Sequence, residues 1–501
     1  MNDGQTQGDQ RVTIRQMPPG VPGLDEILGG GLPEYSFNII AGAPGCGKTT
    51  LAHQFVFANA TPARPALYFT ILGEPAVKML RYQQQFAFFD QSKLDSAIRF
   101  VNLSQFVLER NLSGVLEEIV REVEEFDARI VVVDSFRTVV RRAQANETEM
   151  ELQEFVQSLA LHLASWQATS FLVGEYAESE IRDNPVFTVA DGLFWLYQST
   201  ERNSIVRKMQ IMKLRGQESV PGLHTFRITQ EGLHTFPRTF GLARESGHIR
   251  GQRRLSTGVP ELDALMGGGI PNGSSLLVAG PSGAGKSILA SQFIAEGLRN
   301  GEPGVVAIFE ELPADFYRRS ASFGLDFETP QREGTLKVIY IRPLDLSVDE
   351  TVHEIMGAVK QIGAKRVVVD SLVGFEMALA PEFRHEFRES LYRMIGALTR
   401  LGVTVVSTVE VEENFTSMSL SNFTISFLAD DILRLRYVSI NGQLRKMLLV
   451  VKMRGSAHSI DMREYEITEK GLVIGEPLRG YRGLTTGIPG PWSGNSGGEL
   501  S

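Results

Sequence analysis

The chain has 501 residues, more than one hydrophobic core usually organises, so two or more domains are expected. Hydrophobic residues make up 43% and charged residues 22%, the balance of a globular protein, and no run of about 18 apolar residues offers a membrane span. A formal net charge of −9 disfavours a role that depends on gripping duplex phosphates, and a single cysteine, Cys46, excludes an intrachain disulfide.

The polar opening MNDGQTQGDQ has no apolar signal-peptide core, so residues 1–14 are expected to be a flexible N-terminus and the protein cytoplasmic. Beyond it the chain is one module written twice. PGVPGLDEILGGGLP (19–33) recurs as TGVPELDALMGGGIP (257–271), and Lys48 maps to Lys286 at an offset of 238 residues. Asp134 then maps to Asp370 and Lys213 to Lys452, so the register holds along the whole module. The first module is assigned to 15–247 and the second to 248–484. The joint PRTFGLARESGHIRGQRRLS (237–256) carries five arginines against one acid and reads as a solvated linker, or alternatively as a basic partner-binding strip. The Gly/Ser/Pro-rich end, 485–501, is expected to be flexible.

Within each module short apolar runs alternate with stretches of helical period. FNIIAGA (37–43) and SSLLVAG (274–280) are apolar strands that run into glycine-rich loops. RIVVVDS (129–135) and RVVVDS (366–371) are β-branched runs with no polar interruption, as in strands covered on both faces. Helix-like stretches such as SGVLEEIVREVEEF (113–126) lie between them. The pattern predicts an α/β fold of two tandem domains, each with a central, mostly parallel sheet flanked by helices.

GAPGCGKTT (42–50) and GPSGAGKSI (280–288) both satisfy G-x-x-x-x-G-K-[ST] between a strand and a helix, the context of a phosphate-binding loop. Gly42, Gly45 and Gly47, and Gly280, Gly283 and Gly285, let backbone N–H groups close on a phosphate at a helix N-terminus. Lys48 and Lys286 should reach the β- and γ-phosphates of ATP, and Thr49 and Ser287 should offer a hydroxyl to Mg²⁺, with Thr50 and Ile288 closing the loops. Cys46 stands where Ala284 stands in the second loop, so it reads as a small side chain tucked beside the phosphates. Asp134 and Asp370 end strands about 85 residues after their loops, where a carboxylate holds the metal shell.

Hydrolysis also needs a carboxylate that orients water. VVAIFEELP (305–313) supplies Glu310 and Glu311, whereas LYFTILGEP (67–75) supplies only Glu74, after Gly73. MKLRG (212–216) and VKMRG (451–455) place Lys213 with Arg215, and Lys452 with Arg454, two apart on a strand. Each pair can act as a fork aimed at a neighbouring subunit's γ-phosphate.

These motifs, with KMRGSAHSIDMREYEITEKG (452–471), resemble the KaiC family of double-domain RecA-like ATPases over roughly residues 15–480. The resemblance implies a homo-hexamer of two stacked rings with ATP at subunit interfaces, slow hydrolysis, a signalling or clock-type role and unidentified regulatory protein partners. It also raises a serine/threonine autokinase activity in the second domain. The family's adjacent Ser-Thr acceptors align with Ser426-Phe427 in LSNFTISFLADD (420–431), leaving Ser426, or Thr424, as the candidate phosphosite. The histidine after the first KLRG turn is missing, while the second module keeps His458.

Two other readings compete. A RecA-type DNA-handling motor would use Arg137, Arg141 and Arg142, although the later loops GEYAESEIRDNP (174–185) and VEVEENFTSMSLSNF (409–423) are acidic on balance. A nucleotide-gated scaffold would hold ATP in the first ring without turning it over. No nucleic-acid or membrane partner is expected.

Overall fold

The computed structural model describes residues 14–71, 76–109, 112–139, 149–182, 184–201, 204–238, 253–341, 347–378, 387–411, 429–482 and 490–491. The chain divides into two compact units after Arg238. The expected 247/248 boundary falls among residues outside the described set.

The first unit is built on a nine-stranded sheet. Six strands are parallel, in the spatial order Ile98–Asn102, Ala66–Thr70, Ile130–Asp134, Thr169–Glu175, Phe37–Gly42 and Gly192–Glu201. Antiparallel hairpins then add Ser204–Leu214, His224–Thr229 and Gly232–Phe236 at one edge. The unbroken apolar runs have the reason anticipated for them. Every residue of Phe37–Gly42, Ala66–Thr70 and Ile130–Asp134 is buried, because helices cover both faces of the sheet. Separate apolar clusters fill the two faces, one around Val131, Val133 and Leu172, the other around Ile40, Val132 and Phe171.

The second unit repeats the strand order: Leu336–Tyr340, Gly304–Ile308, Arg366–Asp370, Thr404–Glu410, Ser275–Gly280, Asp431–Ile440, Gln443–Met453, Arg463–Thr468 and Gly471–Pro477. The two tandem mostly parallel sheets flanked by helices are therefore present as predicted. Alternation of strand and helix period identified them because each crossover must return across a face of the sheet.

One detail lay beyond the periodicity. A β-bulge falls between Leu193 and Phe194 in the first unit and between Ile432 and Leu433 in the second. Lys213 pairs with Leu193 and Lys452 with Ile432, so Met212 and Val451 are the extra residues. The same irregularity thus sits directly before each Lys-Arg fork, where it re-aims the strand end.

A buried ion pair anchors the start of the second unit. Arg366 is 1% exposed and bonds Glu302 through Nε at 2.8 Å, while its Nη1 donates to the carbonyls of Ser256 and Phe293. Glu302 also receives Arg253 at 2.6 Å, which ties the incoming chain to the sheet. Among the described residues no helix is long and apolar enough to cross a membrane.

Candidate functional site

Each phosphate loop leaves the carboxyl end of a central strand and opens a helix, Lys48–Asn59 in the first unit and Lys286–Arg299 in the second. The glycine before each helix is required. Gly47 and Gly285 have φ of 103° and 91°, and a Cβ on Gly47 would lie 2.6 Å from Ile228 Cδ1. The lysines are folded onto their own loops: Lys48 Nζ donates to the Ala43 carbonyl and Lys286 Nζ to the Pro281 carbonyl, both at 2.7 Å. Burial lowers the Lys286 pKa, opposed by the charges of Glu410, Asp370 and Glu310.

Cys46 is fully buried, as is Ala284 at the matching position. Its Sγ lies 3.7 Å from Lys48 Nζ, yet burial outweighs that charge and pushes the thiol up. A buried, protonated thiol is a packing residue.

In the first unit Thr49 Oγ1 and the Tyr68 hydroxyl both donate to Asp134 Oδ2 at 2.8 Å. Burial raises the Asp134 pKa, and these two hydrogen bonds oppose the shift. In the second unit Asp370 accepts from Thr408 and lines a cavity of about 470 Å³ with Lys286, Ser287 and Ile288. Glu310, Glu311, Glu410 and Arg319 complete its charged wall. Ser371 donates to Glu310 Oε1, and its own Oγ accepts the Gly374 N–H at 3.1 Å. The serine after Asp370 therefore caps a helix and steers Glu310 at once. Both Asp–Ser peptides, 134–135 and 370–371, are cis.

Sheet register locates the glutamates. Thr70 pairs with Asp134, and Ile308 pairs with Asp370, so these two positions are equivalent. Counting onward along the sequence, Leu72 and Gly73 match Glu310 and Glu311 in position, and Glu74 matches Leu312. Glu74 itself lies outside the described residues, as do Ser426 and Thr424.

The forks lie away from their own loops. Lys213 is level with Leu193 and Ile39, three residues back along the strand from Gly42, or roughly 10 Å. Lys452 is level with Ile432 and Leu277, likewise three residues back from Gly280. Arg215 and Arg454 stand just past the ends of strands Ser204–Leu214 and Gln443–Met453, so they are not the strand neighbours that an i, i+2 spacing suggested. Each fork is held by the segment before the next central strand. Lys213 donates to the Thr188 carbonyl and Arg215 pairs with Asp191 at 3.1 Å, while Lys452 donates to the Ala429 carbonyl and Arg454 pairs with Asp430 at 3.7 Å.

Arg137 is mostly buried, paired with Glu180 and stacked over Tyr176 at 4.9 Å. Arg141 and Arg142 lie outside the described residues. Sequence reasoning missed Tyr68, Thr408 and Arg319. Only Arg319 left a repeat signal, since Arg81 occupies the same place six residues after Pro75 as Arg319 does after Pro313.

A family model described as "ATPase: KaiC" matches residues 17–239 and again 255–479. A circadian clock oscillator protein KaiC from Picosynechococcus sp. is 30% identical over 97% of this chain and 94% of its own length. The protein of that name from Prochlorococcus marinus is 28% identical over 98% of both, and KaiC 1 of Synechocystis sp. is 28% identical over 98% of this chain and 95% of its own. With two phosphate loops, two matched aspartates and the family model covering both modules, the chain belongs to the KaiC family of ATPases.

Proposed function

We propose that the protein is a Mg²⁺-dependent, ATP-hydrolysing hexamer of clock or signalling type whose second site turns ATP over and whose first site chiefly holds it. The observation that carries this reading is that Glu310 and Glu311 line the second cavity with Lys286 and Asp370, whereas a count along the sequence from Thr70 and Ile308 sets Leu72 and Gly73 at the matching positions of the first module. A site with phosphate-binding groups and no water-orienting carboxylate binds nucleotide without an efficient route to hydrolysis.

In the second site Lys286, freed from the Pro281 carbonyl, would bind the β- and γ-phosphates. Glu310, steered by Ser371, would accept a proton from the attacking water. The hydroxyl and carboxylate pairs Thr49–Asp134 and Ser287–Asp370 are hard oxygen donors of the kind Mg²⁺ takes, directly or through water. Bound there, the ion would neutralise charge on the β- and γ-phosphates. Forks three residues back from their own loops support delivery to a neighbour's γ-phosphate, hence ATP between subunits.

ATP turnover by the Lys48→Ala and Lys286→Ala variants tests the division of labour. Near-complete loss in Lys286→Ala with most turnover kept in Lys48→Ala is expected; the reverse would assign hydrolysis to the first site. A second-ring autokinase belongs to the same reading, with Ser426 as acceptor and Thr424 as the nearest alternative. Intact mass and phosphopeptide mapping after Mg-ATP incubation decide it. The ion pair and ring stacking of Arg137 weigh against a DNA motor, because they occupy a basic residue that such a motor would turn toward phosphates.

A further inference from the structure

The second cavity has a charged wall that nucleotide binding alone does not explain. Four carboxylates, Glu310, Glu311, Asp370 and Glu410, face a space that would receive a triphosphate, against two cations, Lys286 and Arg319. Such a wall repels the nucleotide unless some of the carboxylates are engaged.

Arg319 engages one of them. Its Nη2 donates to Glu311 Oε1 and its Nε donates to Oε2 at 3.3 Å, a bidentate clasp between two partly exposed side chains. The guanidinium also sits 5.6 Å from the Phe316 ring, which is buried and stacked on Phe327 at 5.4 Å. The arginine is thus braced from below by a fixed aromatic pair while its fork turns Glu311 aside. Glu310 has a different partner, Ser371. The two adjacent glutamates are therefore held by separate groups.

We propose that Arg319 is a positioning residue of the second site, holding Glu311 off the triphosphate so that Glu310 is the glutamate of the pair left to face the reacting end. The proposal rests on the ATPase reading above. The first module gives an internal contrast: Arg81 matches Arg319 in sequence position and is exposed, and the residue matching Glu311 in sequence is Gly73.

The test uses the full-length chain carrying Lys48→Ala, so that the second site reports, with a fluorescent non-hydrolysable ATP analogue and Mg²⁺. Releasing one carboxylate toward the phosphates should weaken analogue binding roughly five- to tenfold in Arg319→Gln. KM should rise by a similar factor while kcat stays within about threefold, since Glu310 and its Ser371 bond are untouched. Arg319→Lys should recover part of the affinity. In Glu311→Gln, adding Arg319→Gln should change affinity less than about twofold, because the charge to be held aside is gone. A full Arg319→Gln loss in the Glu311→Gln background would overturn the proposal, placing Arg319 directly on nucleotide. Equal falls in kcat and kcat/KM would overturn it also. Failure of the Lys48→Ala reference protein to bind the analogue at all would instead refute the ATP assignment, and this proposal with it.

Discussion

Glu310→Gln removes the proposed base while disturbing little else. The Ser371 hydroxyl donates to Glu310 Oε1, and a glutamine carbonyl oxygen can accept the same bond, so the helix cap and side-chain direction should persist. Lys286, Ser287 and Asp370 remain in the cavity, and nucleotide affinity should hold within about twofold of wild type. What is lost is proton acceptance from water, a contribution of about 10²–10⁴ in rate. At 1.36 kcal/mol per decade this raises the barrier by roughly 3–5 kcal/mol. If, as proposed, the first site chiefly holds ATP, total phosphate release should fall to the level of Lys286→Ala. Steady-state phosphate release and analogue titration on the same preparations provide the measurement. If Glu310→Gln kept more than half of wild-type turnover while Lys286→Ala lost it, the base would lie elsewhere and the reasoning would fail.

Glu302→Ala should strand the buried Arg366 charge and destabilise the second unit by about 3–5 kcal/mol in chemical denaturation, with Arg366→Met distinctly milder. Gly47→Ala should abolish nucleotide binding at the first site alone, since a side chain there meets Ile228 and needs a left-handed backbone; equilibrium binding in a Lys286→Ala background reads it. His53 is fully buried against Tyr68 and its pKa is lowered by burial to about 3. The unfolded chain therefore binds that proton below about pH 6.5 while the native chain does not. Stability of the first unit should fall as pH drops from about 6.5 toward 3, and His53→Phe should flatten that limb of an unfolding-versus-pH curve. Cys46 should label with thiol reagents only after unfolding, and Cys46→Ala should bind nucleotide as wild type does.

The parts of the molecule that were legible in the sequence are those where one backbone geometry demands one residue type. Glycines 45, 47, 283 and 285 take positive φ because the loops turn tightly, and the β-branched runs are the strands covered on both faces. Duplication did the rest, since a motif recurring at fixed offset is hard to mistake for chance. What escaped notice depends on contacts between distant segments. Nothing local marks Tyr68 as the partner of an aspartate 66 residues away, and Val306 in the second unit breaks the repeat there. Nothing local marks Arg366, at the start of its strand, as buried; Glu302 and two carbonyls reach it from three other segments. The fork geometry escaped for another reason: the strands end at Leu214 and Met453, between the lysine and the arginine of each fork, and a period of two does not mark that end.

The setting of the forks bears on how the protein behaves in a tube. Lys213 and Lys452 stand level with positions three residues back from their own phosphate loops, a setting that under the proposed function aims each fork at a neighbouring subunit. On that proposal full catalytic competence would be a property of subunits meeting, and specific activity would depend on protein concentration. Dilution below the dissociation constant of the assembly should switch the enzyme down without any change in its fold, and added nucleotide should oppose that loss by binding the assembled form preferentially.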